Sequence, residues 1–277
     1  MIDLELENKV VIITGGSGGI GSACAREFLR QGAFVSIVDI DKKSGMLLEE
    51  ELLVEYPGRA RFFECDLTNI DSTCSVVDST IAVFGQIDCI ICNAAIFHAN
   101  SLKNWDEDDL EQLRRHFEVG ILGHMNMVRH AWADCPGSRG GSVITIGSTA
   151  GRFAEPKAMA YLPIKAALIE GVKQFAFEMA DAGGWAVCVS PGHTFTREHA
   201  KRVKKTGQTK KEYEMTAGNI QNTLLKRFLE PEEIAVWVAI AASHYGRLMT
   251  GTEILVDAGI AAGGFNGAYV IPNTELS

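Results

Sequence analysis

Short apolar runs alternate with longer, helix-length segments along almost the whole chain, and this alternation constrains the fold more than any other feature. Most of the runs are unbroken by polar residues, which is typical of strands covered on both faces. The order predicts a parallel sheet with helices on both sides, a doubly wound α/β fold of three layers. The predicted strands are residues 9–14, 34–39, 60–64, 87–93, 142–148, 185–190 and 253–256, and the predicted helices are residues 20–31, 43–56, 70–84, 106–133, 161–182 and 231–242.

Length and charge place the chain among single-domain globular proteins. Its 277 residues fit one α/β domain over residues 1–277, because no linker or repeat divides them. Polar residues 194–223 interrupt the alternation and are interpreted as a substrate lid, and residues 260–277 as a C-terminal extension. The formal net charge of −9 argues against nucleic-acid binding. No apolar run approaches the roughly 20 residues that span a bilayer, so no membrane interaction is expected.

The cysteines indicate a reducing compartment. There are seven, an odd number scattered through apolar segments, which favours buried free thiols in a cytoplasmic protein. The acidic N-terminus lacks the form of a signal peptide. Cys89 and Cys92 match C-x-x-C, but positions three apart on a strand face opposite sides of the sheet. We therefore expect no disulfide or shared metal there, and no metal site elsewhere.

A glycine string, Thr14-Gly-Gly-Ser-Gly-Gly-Ile-Gly21, joins the first predicted strand to the first predicted helix. Glycines let the backbone approach a pyrophosphate, which the helix N-terminus attracts. Asp39 ends the second predicted strand, where a carboxylate accepts hydrogen bonds from ribose hydroxyls and repels a 2′-phosphate. Since Ile40 follows and the string carries no basic residue, NAD is favoured over NADP. The alternative for Asp39 is a turn or helix cap.

Tyr161 and Lys165 lie one turn apart on a predicted helix, with Ser148 thirteen residues before the tyrosine. A phenol is a poor base at neutral pH because its reference pKa is about 10. A neighbouring ammonium favours the phenolate, and a serine hydroxyl can hold the oxygen of an alcohol or ketone. The three residues therefore predict proton transfer at a carbon-bound oxygen.

Taken in this order, these motifs resemble the short-chain dehydrogenase/reductase family over roughly residues 7–259. The resemblance implies a Rossmann-type fold, cytoplasmic NAD-linked oxidoreduction of a secondary alcohol or ketone, and assembly as a homotetramer or homodimer. It also implies that Tyr161 is the general acid/base, that Lys165 lowers its pKa and binds the nicotinamide ribose, and that Ser148 orients the substrate oxygen. Further matching segments are Asp66 in Cys65-Asp-Leu-Thr68, Asn93-Ala-Ala-Ile96, Pro191-Gly-His-Thr-Phe-Thr196 and Thr250-Gly-Thr-Glu-Ile-Leu-Val-Asp-Ala-Gly259. The implied cofactor-binding residues are Gly15, Ser17, Gly18, Gly19, Ile20, Gly21, Asp39, Ile40, Asp66, Leu67, Asn93, Ala94, Ala95, Tyr161, Lys165, Pro191, Gly192, Thr194 and Thr196.

One position departs from the family pattern. The family usually carries an asparagine in a V-N-x-x-G segment, where it supports a water in a proton relay. Here the segment is Val119-Gly-Ile-Leu-Gly123, so that Gly120 replaces the asparagine. His116 and His124 lie one turn to either side. The hypothesis is that a water fills the gap, held by one of these histidines; the alternative is that both are ordinary helix residues.

The substrate is expected beneath the segment that follows Pro191 and Gly192. The predicted substrate residues are His98, Phe153, His193 and Arg197, within a wider wall of Ile96, Phe97, Ala150, Arg152 and Glu155. This mixture favours a small polar or ring-bearing alcohol. A basic block indicates an anionic substrate or, alternatively, a solvated helix face. The block comprises Arg197, Lys201, Arg202, Lys204, Lys205, Lys210 and Lys211.

Two other classes of function remain open. One is a catalytically silent NAD-binding protein, which Gly120 favours and the intact Ser148, Tyr161 and Lys165 oppose. The other is a non-redox relative such as a dehydratase or epimerase, for which the segment after Pro191 is short.

Overall fold

The computed structural model of the chain describes residues 3–98, 101, 103, 105–134, 140–155 and 157–263. Its strands form one parallel sheet, as predicted, and every predicted strand lies within two residues of an observed one. The strand order is β3-β2-β1-β4-β5-β6-β7, which reverses direction between β1 and β4. The strands are β1 (Val10–Thr14), β2 (Phe34–Asp39), β3 (Ala60–Glu64), β4 (Cys89–Cys92), β5 (Ser142–Ile146), β6 (Trp185–Pro191) and β7 (Glu253–Val256).

Helices cover both faces of the sheet and enclose two hydrophobic cores. Helices α1 (Gly19–Arg30), α2 (Lys42–Glu55) and α10 (Pro231–Ala242) pack on one face; α3 (Ile70–Phe84), α5 (Gly123–Asp134) and α6 (Tyr161–Met179) pack on the other. The Rossmann-type, three-layered architecture is thereby confirmed. Cys89 belongs to one core and Cys92 to the other, so the C-x-x-C pair does face opposite sides of the sheet. The described cysteines are free thiols, no cluster of ligands in the described ranges suits a metal ion, and Cys135 lies outside those ranges.

The helix predicted over residues 106–133 is interrupted. Helix α4 (Glu107–Phe117) begins with a capping box formed by Asp106 and Asp109. A π-helical turn, Glu118–Leu122, then separates it from α5. Such a turn accommodates one extra residue within an α-helix and is frequent at functional sites. Gly120 lies inside this turn.

Helix α6 starts at Tyr161, and this start explains how it tolerates a proline. Pro163 is its third residue, in the first turn, where a backbone N–H has no partner within the helix. Tyr161 and Lys165 therefore occupy the first two turns of one helix face. The remainder of the predicted helix, Ala180–Ala182, forms a short 3₁₀ turn.

Residues 194–223 contain three short helices: α7 (Arg197–Thr206), α8 (Lys210–Thr216) and α9 (Gly218–Gln221). They are joined to the rest of the domain through the fully buried Phe228, whose ring contacts those of Phe195, His199 and Tyr213. The last helix, α11 (Ile260–Gly263), opens the C-terminal extension, and residues 264–277 lie outside the described part. None of the helices in the described part is long and apolar enough to cross a bilayer.

Candidate active site

A cavity of about 760 Å³ opens at the carboxyl ends of the strands, where the strand order reverses between β1 and β4. Ligands of doubly wound sheets bind at this position because adjacent loops there diverge. The structure brings almost all predicted cofactor residues to its wall. The lining includes Gly15, Gly18, Gly19, Ile20, Gly21, Asp39, Ile40, Asp66, Leu67, Asn93, Ala94, Ala95, Tyr161, Lys165, Pro191, Gly192, Thr194 and Thr196.

The glycine loop fits a pyrophosphate. Gly15 has a φ of +61°, and a Cβ at Gly21 would lie 2.1 Å from the Gly15 carbonyl oxygen. The Asn93 side chain donates to the carbonyls of Thr14 and Gly15, at 2.8 and 3.1 Å. These contacts hold the loop flat against the start of α1, whose free N–H groups and helix dipole attract anions. Backbone without side chains therefore faces the cavity where a dinucleotide pyrophosphate belongs.

Asp39 is held rigidly at the ribose end of the cavity. Its carboxylate accepts from the Ser17 N–H at 3.0 Å, the Ser17 hydroxyl at 2.6 Å and the Asp41 N–H at 3.0 Å. Ser17 itself is buried and does not line the cavity. The predicted contact of Ser17 with the cofactor is therefore replaced by an indirect role, in which Ser17 orients Asp39.

Arg197, predicted as a substrate residue, lines the cavity and lies at the ribose end of it. Its guanidinium Nη1 donates to the Ser44 hydroxyl of α2 at 3.4 Å, across the cleft. Hydrogen bonds from Ser44 lower the pKa of Asp41, and the positive charge of Arg197 acts in the same direction. Arg197 is 158 residues from Asp39 in the chain, so no local sequence pattern indicated a cation near the ribose.

Ser148, Tyr161 and Lys165 meet at the opposite end of the cavity. Ser148 lies two residues after β5 and caps a 3₁₀ turn, so that its hydroxyl accepts from the Ala150 N–H at 3.1 Å. The Ser148 and Tyr161 side chains are hydrogen-bonded to each other. The Lys165 ammonium donates to the Ile146 carbonyl at 2.7 Å and lies 5.5 Å from the centre of the Tyr161 ring.

Burial has the largest effect on the pKa values of Tyr161 and Lys165. It raises the pKa of Tyr161 to about 12, against the opposing effect of the hydrogen bond from Ser148. It lowers the pKa of Lys165 to about 8, because the 2% exposed ammonium has lost its hydration. In the protein without a cofactor, desolvation of the phenolate therefore decides the pKa of Tyr161, and Lys165 does not bring it below its ordinary value. The expected lowering of the Tyr161 pKa therefore needs further positive charge in the cavity.

The position that an asparagine side chain would enter at Gly120 is already occupied. A Cβ at Gly120 would lie 2.5 Å from Ile164 Cγ2, because a methyl group of α6 already fills the position. An asparagine there requires Ile164 to move. His116 donates from Nδ1 to the Gln112 carbonyl of its own helix at 2.6 Å. This histidine has the ordinary helix contact of the alternative interpretation.

His124 instead connects the π turn to the first strand. Its Nδ1 lies 3.0 Å from the Gly120 carbonyl, which can only accept, so Nδ1 carries the proton. Its Nε2 lies 2.9 Å from the Thr14 hydroxyl. Burial lowers the pKa of His124 to about 4, and the nearby Lys165 acts in the same direction. The ring is therefore neutral at physiological pH, and neither nitrogen is free to hold a relay water.

This buried imidazole makes the stability of the protein depend on pH. An unfolded histidine has a pKa of about 6.5 and binds a proton more readily than folded His124. Stability should therefore fall as the pH drops below 6.5, by about 2 kcal/mol at pH 5 from this residue, and level off near pH 4. Urea unfolding of the wild type and His124→Gln at pH 7.5 and 5 measures the effect. Between pH 7.5 and pH 5, the free energy of unfolding of the variant should fall by about 2 kcal/mol less than that of the wild type. Equal falls in the two proteins would contradict the assignment.

The predicted substrate residues divide into those inside and those outside the cavity. His193 lines it, and burial lowers its pKa, so it is a neutral imidazole. His98 and Phe153 do not line it, contrary to prediction. His98 turns to Asp109 of α4 at 3.3 Å, and the Phe153 N–H donates to the Thr149 carbonyl. Both follow strand ends, and their neighbours Phe97 and Thr149 line the cavity, but these two residues do not.

Other wall residues also divide. Phe97 and Glu155 line the cavity, and the Phe97 ring contacts Tyr161 edge-on with ring centres 5.4 Å apart. Arg152 instead pairs with Glu253 of β7. Three residues that the sequence did not indicate also line the wall. They are Arg115 of α4, Val119 of the π turn and Asn219 of α9.

Two lysines of the basic block have acidic partners in the described structure. Lys201 pairs with Glu198 at 2.6 Å, and Lys210 pairs with Glu230. Arg202 lines the cavity, but its guanidinium lies over the Phe97 ring, 5.5 Å from the ring centre. Arg197 also lines the cavity, so a solvated helix face accounts for only part of the block.

Comparisons with known proteins agree with this geometry. A family model described as enoyl-(acyl carrier protein) reductase matches residues 15–261. L-fucose dehydrogenase of Bos taurus is 34% identical over 92% of this chain and 90% of its own length. Secoisolariciresinol dehydrogenase of Forsythia intermedia is 27% identical over 93% and 90%. The crystal structure of a blue fluorescent protein from a metagenomic library, in complex with NADPH, superimposes with a TM-score of 0.80 at 28% identity, over 93% and 99% of the two chains.

The matched relatives are oxidoreductases, and the match extends over the whole nucleotide cavity and the Ser148–Tyr161–Lys165 group. The family model alone spans most of the chain. The protein therefore belongs to the short-chain dehydrogenase/reductase family.

Proposed function

We propose that this protein is an NAD-dependent oxidoreductase that interconverts a secondary alcohol and a ketone. The observation that carries the proposal is the convergence of Ser148, Tyr161 and Lys165 at one end of a dinucleotide-sized cavity. The Ser148 hydroxyl, fixed by its bond from Ala150, holds the substrate oxygen. Tyr161 removes the hydroxyl proton during oxidation and returns it during reduction.

Bound nicotinamide supplies the hydride acceptor or donor and, in its oxidised form, a positive charge. Lys165 stabilises the phenolate of Tyr161 and binds the nicotinamide ribose. The glycine loop and the N-terminus of α1 bind the pyrophosphate. In this proposal the lowered pKa of Tyr161 arises when the charge of the cofactor is added to that of Lys165.

The preference for NAD rests on Asp39. Its carboxylate is fixed by three protein donors and directed at the ribose end of the cavity, where it repels a 2′-phosphate. NADP is the alternative cofactor, because the structurally similar blue fluorescent protein is in complex with NADPH. Arg197, beside Ser44, is the cation that would serve a 2′-phosphate in that case.

The substrate is a small, polar, ring-bearing alcohol. The relatives named for L-fucose and secoisolariciresinol support this class. In the cavity, an aromatic wall at Phe97 lies beside the polar side chains of His193 and Glu155. Residues 194–223 act as the lid over this end.

Self-association as a homotetramer or homodimer is part of the proposal. Phe177 of α6 and Trp237 of α10 are 77% and 42% exposed, whereas Phe175 packs against the core. Exposed aromatic side chains on helix faces are typical of interfaces.

The proposal is tested with purified protein, a panel of secondary alcohols and polyols, and NAD or NADP, by absorbance of the reduced cofactor. We expect turnover with kcat/KM at least about tenfold higher for NAD, because Asp39 repels the additional phosphate. Tight NAD binding without turnover of any alcohol or ketone would indicate the catalytically silent alternative. Equal use of NADP would show that Asp39 is not decisive, and loss of NADP use in Arg197→Gln would then assign the phosphate to Arg197.

A further inference from the structure

Glu155 differs from the other carboxylates that line the cavity. Asp39 accepts three protein hydrogen bonds, Asp66 accepts from the Thr68 N–H and hydroxyl, and Glu198 pairs with Lys201. Glu155 makes no hydrogen bond or ion pair with any residue that the structure describes. Three cavity carboxylates are thus satisfied by the protein, and the fourth lacks a donor.

A partly buried carboxylate without a donor is costly. Burial raises the pKa of Glu155, as expected where a carboxylate has lost water and gained no cation. The cost is removed when a ligand in the cavity donates a hydrogen bond to it.

Glu155 also lies at the reactive end of the cavity. It lines the same wall as Ser148 and Tyr161, and its charge contributes to the raised pKa of Tyr161. A donor that reaches Glu155 must therefore belong to the part of the substrate next to the reacting carbon. In an alcohol, the group that fits this description is a second hydroxyl.

The surrounding charges disfavour an anion at this place. His193 is neutral, and the Lys165 ammonium is directed at the Ile146 carbonyl. Arg202 lies over the Phe97 ring. A substrate carboxylate near Glu155 would meet a like charge, which disfavours it at this place.

We propose that Glu155 is a specificity-determining residue that accepts a hydrogen bond from a hydroxyl adjacent to the reacting carbinol, so that the substrate is a neutral, polyhydroxylated alcohol. This inference rests on the proposed oxidoreductase function and names the substrate class for it. It replaces the anionic substrate that the basic block indicated in the sequence.

Three probes with a common ring test the inference: cyclohexanol, cis-1,2-cyclohexanediol and 2-hydroxycyclohexanecarboxylate. Their kcat/KM values are measured with saturating NAD for the wild type, Glu155→Leu, Glu155→Gln and the control Glu170→Leu. Glu170 is an exposed residue of α6 that pairs with Lys173, outside the cavity. Thermal unfolding and the Kd for NAD confirm that each variant is folded with an intact nucleotide site.

We expect the wild type to prefer the diol to cyclohexanol by about tenfold or more, the range for a hydrogen bond to a charged group. Glu155→Leu should lower the ratio of kcat/KM for the diol to kcat/KM for cyclohexanol by at least about tenfold, because only the diol carries the second hydroxyl. Glu155→Gln should raise the rate with the hydroxy acid relative to cyclohexanol by about fivefold, because a like charge is removed. Glu170→Leu should change neither ratio.

Two outcomes overturn the inference in different ways. If the wild type produces NADH from the probes and the diol ratio is unchanged in Glu155→Leu, the role of Glu155 is wrong and the proposed function stands. If no probe and no member of the alcohol panel produces NADH, the proposed function fails and the inference fails with it.

Discussion

Replacing Tyr161 by phenylalanine should lower kcat for alcohol oxidation by about a thousandfold while leaving the Kd for NAD within about threefold. The phenol oxygen is the sole atom removed, and it is hydrogen-bonded to Ser148 at the reactive end of the cavity. Because Ser148 holds the substrate oxygen in the proposed mechanism, the variant loses the hydroxyl that lies next to the proton to be transferred. The measurement is steady-state NADH formation, with NAD titrated calorimetrically.

Tyr56→Phe is the matched control for this variant. Tyr56 donates to Glu55 on the surface and does not line the cavity, so its loss should leave kcat unchanged. If Tyr161→Phe keeps more than about a tenth of wild-type turnover, the assignment of Tyr161 as the acid/base is wrong.

Gly21→Ala should weaken NAD binding by about a hundredfold and lower the free energy of unfolding by about 1–3 kcal/mol. The new Cβ would lie 2.1 Å from the Gly15 carbonyl oxygen and 2.9 Å from the Asn93 amide nitrogen. The first neighbour is backbone of the loop that receives the pyrophosphate, and the second is the side chain that holds this loop in place. The loop must therefore shift, and its N–H groups leave their positions. Calorimetric titration of NAD and urea unfolding without NAD measure the two effects.

Gly171→Ala is the control for the same chemical change. Gly171 lies within α6, and a Cβ there meets no atom within 4 Å. Since alanine is the better helix former, this variant should be stabilised by up to about 1 kcal/mol, with NAD binding unchanged. If Gly21→Ala behaves like Gly171→Ala, the loop is not confined as the structure indicates.

The sheet and the nucleotide half of the cavity were predictable because their signals are local in sequence. Unbroken apolar runs indicate buried strands, and residues that follow parallel strands must meet at one edge of the sheet. Gly15, Asp39 and Asn93 each follow or end such a strand, and each lies where the topology required.

The substrate half was less predictable because side-chain direction depends on contacts distant in the chain. His98 follows β4 as Asn93 does, but it pairs with Asp109 of α4 and leaves the cavity. Arg197 follows β6, but it reaches Ser44 at the ribose end. Glu155 lacks a hydrogen-bond donor among the described residues because of what surrounds it in the fold, and no local sequence pattern indicates this.

The π turn also escaped prediction, since it alters helical register without altering the apolar pattern. Its consequence is geometric. Removing one residue from Glu118–Leu122 would restore an uninterrupted α-helix and, with α5 anchored by His124 to Thr14, rotate α4 by about 100°. Arg115 would then leave the cavity wall, and other side chains of α4 would enter it. Gain or loss of a single codon at this turn is thus a route by which homologous enzymes can exchange one substrate wall for another while the nucleotide site stays fixed.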